Sequence, residues 1–88
     1  MNKDRRKALA DLVKDIEALA QRRDELVSEL EAIKDEEQEY FDAMPESLQS
    51  GEKGSGAEEA IGHLETACEA LEELDFDSVT SAIEDASQ

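Results

Sequence analysis

The sequence has little of what compact cores and active sites are usually built from. It has no tryptophan, one tyrosine, two phenylalanines, one cysteine and one proline in 88 residues. So few aromatic side chains leave a core of aliphatic and alanine side chains, which suits close packing of helices and suits a sheet poorly. Because Cys68 is the only cysteine, no disulfide can form within the chain, and we expect a protein of the reducing cytoplasm.

Long apolar runs are also missing. No stretch has the length and apolarity of a membrane span, and Asp11, Asp15 and Glu17 interrupt the only region near the start that could serve as a signal-peptide core. We therefore expect no contact with a membrane.

The residue sets of common reactive sites are incomplete. His63 and Cys68 have no second histidine or cysteine to complete a zinc site. A calcium loop over residues 75–86 would need an oxygen ligand, a glycine and a final glutamate at three positions. The sequence has Val79, Thr80 and Ala86 at those positions. The glycine-rich GEKGSG segment lacks the spacing of a phosphate loop. We expect no metal, no cofactor and no enzymatic activity, and we expect Cys68 to be an inert core residue.

Charge of one sign dominates the second part of the chain. Residues 1–34 carry eight basic and eight acidic side chains, whereas residues 35–88 carry 17 acidic side chains and only Lys53 as a base, so the net charge of −16 lies entirely in this second part. Such a surface repels DNA and anionic membranes. The expected partner is a protein with a basic surface, without direct binding of nucleic acid.

One uninterrupted heptad pattern organises the first half of the chain, with apolar residues at three- and four-residue steps. It predicts a coiled-coil-like helix over residues 3–43, about 60 Å long at 1.5 Å per residue. The e positions also hold apolar residues, namely Val13, Ala20, Val27 and Phe41. They widen the apolar stripe along the helix, which indicates that the helix has more than one partner helix. The a positions are Leu9, Ile16, Arg23, Leu30, Glu37 and Met44, and the d positions are Leu12, Leu19, Leu26, Ile33 and Tyr40.

Arg23 and Glu37 stand at a positions, where apolar side chains are the rule. Polar residues there can fix the register and the number of partners of a coiled coil. Alternatively, they lie at the exposed edge of the stripe while Val27 and Phe41 do the packing. The sequence leaves both possibilities open.

The remaining residues predict a single all-α domain over residues 1–88. Pro45 and the glycines predict a turn and linker over residues 45–55, with one possible helical turn after Pro45. Ser55 and Glu58 have capping-box spacing and open a second helix over 56–74, and an aspartate caps a short third helix over 77–86. We expect the second helix to be antiparallel to the first and to pack on Ile33, Tyr40 and Phe41.

The second helix is about half as long as the first, so the N-terminal half of the apolar stripe has no obvious cover unless the third helix continues along it. This predicts a homodimer whose seam is formed by Leu9, Leu12, Ile16, Leu19 and Leu26. The basic first turns either fray up to about Ala8 or form an arm that contacts an acidic partner.

Residues 35–61 contain a sequence of short motifs. An acidic run leads into Glu39-Tyr40-Phe41-Asp42, then Met44-Pro45-Glu46, then Leu48-Gln49, then a Gly-Glu-Lys-Gly turn and an alanine-rich acidic helix. In these motifs the chain resembles a family of small acidic helical proteins encoded by phages, prophages and mobile elements. The resemblance implies a phage-like genomic setting and transfers no site residues. The same segment also has a purely structural explanation, because its apolar side chains would pack under the turn of a helical hairpin.

Two functions fit these observations. In the first, the protein imitates DNA and inhibits a basic nucleic-acid-binding protein, because carboxylates recur every 5–6 Å along a helix face. The phage-like resemblance implies that this partner is a host protein, such as a nuclease of a defence system. In the second, it is a coiled-coil scaffold or adaptor whose acidic residues only keep it soluble. The candidate partner-binding acidic face consists of Asp35, Glu36, Glu39, Asp42, Glu58, Glu65, Glu69, Glu72 and Glu73.

Overall fold

The chain forms an elongated all-α structure. A computed structural model describes all 88 residues, Met1–Gln88, and contains four helices and no strand: α1 (Lys3–Asp42), α2 (Glu46–Gln49), α3 (Glu52–Glu72) and α4 (Phe76–Ala86). The all-α prediction is confirmed. The molecule measures 69 × 15 × 12 Å, so it is a rod whose long dimension is set by α1.

The 40-residue helix α1 begins in a regular way despite its basic first turns. The Asn2 side chain caps it by accepting a hydrogen bond from the Arg5 backbone N–H at 2.8 Å. The helix is therefore regular from Lys3, and fraying up to Ala8 is not seen. It ends at Asp42, three residues before Pro45, which disfavours helical geometry in the residue that precedes it.

The connection between α1 and α3 is shorter than the sequence predicts. Helix α3 begins at Glu52, four residues before the expected start, and Gly51 occupies its N-cap without a side-chain hydrogen bond. The expected capping box is wrong, because Ser55 already lies inside the helix. Gly54 is helical too, and it is buried because α2 approaches it closely. A Cβ at this position would lie 1.9 Å from the Gln49 carbonyl oxygen.

Asp75 is the aspartate that caps α4. Its carboxylate accepts a hydrogen bond from the Ser78 backbone N–H at 3.0 Å and another from the Ser78 hydroxyl. The Ser78 hydroxyl, followed by the backbone N–H, lowers the pKa of Asp75 below its ordinary value, because both donors favour the charged form.

The core is a thin seam between α1 and the two later helices. Its buried apolar residues are Val27, Ala57, Ile61 and Cys68, none of them completely enclosed. The side of α1 that faces this seam carries the a and e positions of the heptads. The expected packing on Ile33 and Tyr40 is wrong, since about half of each side chain is exposed. Apolar e residues shift the centre of the stripe away from d, so Phe41, at an e position, is the most covered residue of the expected trio.

Arg23 closes the junction between α3 and α4. Its guanidinium donates hydrogen bonds to the carbonyls of Leu71 and Leu74, at 2.8 and 3.1 Å, and lies 5.1 Å from the ring centroid of Phe76. A cation at the C-terminal end of α3 is favoured by the helix dipole. Arg23, a polar residue at an a position, thus binds the carbonyls at the C-terminal end of α3. Neither of the two alternatives drawn from the sequence predicted this contact.

Candidate interaction surfaces

Negative charge is concentrated at one end of the rod. Residues 24–74, here called the acidic end, carry 17 acidic and two basic side chains, a net charge of −15. The remaining residues, 1–23 and 75–88, here called the neutral end, have a net charge of −1. These two segments lie at the same end of the rod, because Glu84 and Ser87 of α4 line a groove together with Arg6, Val13 and Glu17 of α1. The first part of α1 therefore offsets the acidic residues of α4.

The nine carboxylates predicted to form the acidic face are all exposed. Only Glu65 has a basic group within ion-pair distance, with its Oε1 atom 3.9 Å from Nζ of Lys34. Asp42 accepts a hydrogen bond from the Gln38 amide at 3.0 Å. The other ion pairs involve Asp11, Asp24, Glu25 and Glu29, which lie earlier in α1. The negative charge of the predicted face is thus almost entirely unneutralised within the chain.

These nine residues form two groups rather than one row. Asp35, Glu36, Glu39 and Asp42 occupy c, f and g positions, on the side of α1 opposite its covered face. Glu58, Glu65, Glu69, Glu72 and Glu73 lie along one flank of α3, at helical spacing. The Lys34–Glu65 contact places the α3 group on the e-position edge of α1. A partner would have to wrap around this edge to meet both groups.

A second surface runs along the opposite edge of α1. It consists of the five d residues, here called the d row, whose side chains are between 37% and 57% exposed: Leu12, Leu19, Leu26, Ile33 and Tyr40. No part of the chain covers them, although four heptads of large apolar residues are typical of a helix with a partner. Beyond Tyr40 the row leads into a groove of about 300 Å³ lined by Ala43, Met44, Pro45, Leu48 and Lys53.

The predicted dimer seam is divided by the fold. Leu9 and Ile16 are half-buried on the side of α1 along which α4 lies, whereas Leu12, Leu19 and Leu26 belong to the exposed d row. Helix α4 contacts α1, and its residues Glu84 and Ser87 line a groove with Val13 in the N-terminal half of α1. The apolar e residues Val13 and Ala20 were the sequence signal for this contact.

The two residues with potential for metal or thiol chemistry are separated. Cys68 is buried against α1, with its Sγ atom 4.0 Å from the Val27 carbonyl oxygen. Burial, followed by the negative charge of Glu31, raises the pKa of this thiol. His63 is exposed. No three His, Cys, Asp or Glu side chains are arranged to hold a metal ion.

None of the helices combines the length and the apolarity that a membrane span needs. Comparisons of this chain with protein-family models, with curated proteins and with solved structures find no match.

Proposed function

We propose that the protein binds a basic, nucleic-acid-binding protein through its acidic end and inhibits it by occupying the surface that DNA would use. The observation that carries this proposal is the set of exposed carboxylates that have no basic partner within the chain. Charges held on a rigid helix can replace the phosphates that a basic groove otherwise binds, and they release the same counterions.

The density of charge supports this proposal. The acidic end occupies roughly 30 Å of the α1 axis, from residue 24 to residue 42 at 1.5 Å per residue. A net charge of −15 over that length is about one charge per 2 Å. Double-stranded DNA carries about one charge per 1.7 Å. A basic protein groove therefore meets a similar linear density of negative charge on either ligand.

The proposal includes the arrangement of the helices and the absence of catalysis. We propose that α3 and α4 run antiparallel to α1. The supporting contacts follow opposite orders along the two helices, because Arg23 contacts Leu71, Val27 contacts Cys68 and Lys34 contacts Glu65. In α4, Phe76 lies beside Arg23, whereas Ser87 lines a groove with Arg6. We propose no enzymatic activity and place the protein in the bacterial cytoplasm. The resemblance to acidic proteins of phages makes a host defence enzyme the first class of partner to examine.

The test is a pull-down from a bacterial lysate at about 50 mM salt, eluted by a salt gradient up to about 200 mM, where charge-driven binding weakens steeply. The test variant replaces Glu65, Glu69, Glu72 and Glu73 by Gln. A matched control removes four negative charges at the neutral end, through Asp11→Asn, Asp15→Asn, Glu17→Gln and Glu84→Gln. The proposal expects the first variant to lose the partner and the control to retain it.

A second candidate function is that of a coiled-coil scaffold or adaptor without inhibitory activity. The exposed d row favours it, because an uncovered apolar row four heptads long is a ready binding surface for another helix. In that case the Gln variant would bind as tightly as the wild type, and DNA would not displace the partner.

A further inference from the structure

The d row has the geometry of a self-complementary seam. From Leu12 to Tyr40 it extends about 42 Å along α1, with Leu26 at its midpoint. It lies about 80° around the helix from the centre of the face that α3 and α4 cover, given 100° per residue. This is close to the right angle at which one helix of a four-helix bundle meets its two neighbours. The position of the row therefore leaves room for a second long helix beside α1.

We infer that a second copy of this chain covers the d row, antiparallel to the first, about a two-fold axis at Leu26. In this register Leu12 meets Tyr40 of the partner subunit and Leu19 meets Ile33 of the partner subunit. All five apolar residues of both copies are used, whereas a shift by one heptad would leave one of them uncovered in each copy. This inference differs from the seam expected from the sequence, and it is independent of the proposed inhibitory function.

The charges beside the row include one pair that the antiparallel direction brings together. The adjacent g positions hold Asp15, Arg22, Glu29 and Glu36. In a parallel two-fold pair, the g side of one copy faces the a side of the other, which holds mostly apolar residues, so these charges find no opposite charge at the g positions of the partner. The antiparallel pair instead places Arg22 beside Glu29 of the partner subunit, twice by symmetry, and leaves only the two contacts between Asp15 and Glu36 of the partner subunit repulsive.

The ends of α1 favour the same direction. Residues 1–23 have a net charge of +3, and residues 24–44 have a net charge of −8. An antiparallel pair places the positive part of each α1 along the negative part of the other, whereas a parallel pair superimposes the two negative parts. At the ends of the seam, the groove between Tyr40 and Leu48 lies where Ala8 of the partner subunit would enter. The second copy thus fits the row in its apolar pattern and in its charge.

The first test measures the mass of the full chain by sedimentation equilibrium at micromolar concentration and about 150 mM salt, where screening limits repulsion between two acidic copies. We expect a dimer. Leu19→Asp should raise the dimer dissociation constant by on the order of 100-fold or more, because two unpaired charges enter the seam. Ser28→Asp adds the same charge on an exposed face away from the row, and it should leave the dimer intact. A monomeric wild type, or equal effects of both variants, would overturn the inference.

The second test measures direction by disulfide cross-linking in a Cys68→Ala background. Leu26→Cys should cross-link to its own copy. Leu12→Cys should not cross-link to itself, but it should cross-link to Tyr40→Cys when the two variants are mixed. Helical circular dichroism of each variant shows whether it is folded. Self-cross-linking of Leu12→Cys together with no product in the mixture would establish a parallel pair and overturn the proposed direction.

Discussion

Replacing Arg23 by alanine tests how the three main helices are held together. Only 18% of this side chain is exposed, and it is the one basic group that links α1 to the end of α3 and the start of α4. Its neighbour Arg22 is 54% exposed and contacts only Glu25 and Glu29 on the same helix. Arg22→Ala is therefore a control with the same chemical change and the same gain in helix propensity.

The structure sets the size of the expected effect. Arg23→Ala removes three hydrogen bonds from a charged donor, two to carbonyls at the end of α3 and one to the exposed Asp24 carboxylate. The freed carbonyls and the carboxylate recover part of this loss by binding water. It also removes the contact with Phe76, for which about 0.5–1 kcal/mol is typical. We expect a total loss of roughly 2–3 kcal/mol in the free energy of unfolding. Arg22→Ala should change it by about 0.5 kcal/mol or less, as exposed ion pairs usually do.

Urea unfolding followed by circular dichroism measures both variants, at one protein concentration because association would add to stability. The midpoint of Arg23→Ala should fall clearly below that of Arg22→Ala. If the two variants unfold at the same urea concentration, Arg23 does not join the helices, and the proposed packing of α1 on the end of α3 is wrong.

Three further predictions concern single residues. Gly54→Ala should destabilise the fold by roughly 2 kcal/mol or more, because its Cβ would meet the Gln49 carbonyl, whereas Gly56→Ala, which meets nothing within 4 Å, should gain about 0.5–1 kcal/mol in urea unfolding. The Cys68 thiol should react with a thiol reagent near pH 8 far more slowly in the folded protein than in urea, and equal rates would contradict its burial and raised pKa. Asp75→Ala should destabilise the protein at neutral pH, and the difference from the wild type should shrink as the pH falls through the lowered folded-state pKa; a difference independent of pH would exclude a charged cap.

The sequence carries enough information for the fold class and for the length of α1, because an unbroken heptad pattern without glycine or proline leaves few alternatives to a long helix. It was less informative about the start of α3. Gly54 looks like a linker residue, yet it lies inside α3, and a glycine is needed there because a Cβ would collide with the Gln49 carbonyl of α2.

The exposed surfaces were harder to predict. The composition indicates an acidic half, but the sequence alone does not say which carboxylates pair with Lys34 and which stay free. The fold divides the seam expected from the a and d positions, because the choice of a and e as the covered face depends on where α4 lies. Val13 and Ala20 signalled this choice, and Leu9 and Ile16 consequently turn toward the chain itself.

The most direct test of the proposed function is a competition between this protein and DNA for the partner isolated from the lysate. Labelled wild-type protein bound to that partner is titrated with duplex DNA at about 100 mM salt, alongside the variant with Gln at positions 65, 69, 72 and 73. Binding through the acidic end predicts that DNA displaces the wild type completely and that the variant binds much more weakly. A partner that retains the protein in excess DNA, and that binds the variant as tightly as the wild type, would contradict the proposal.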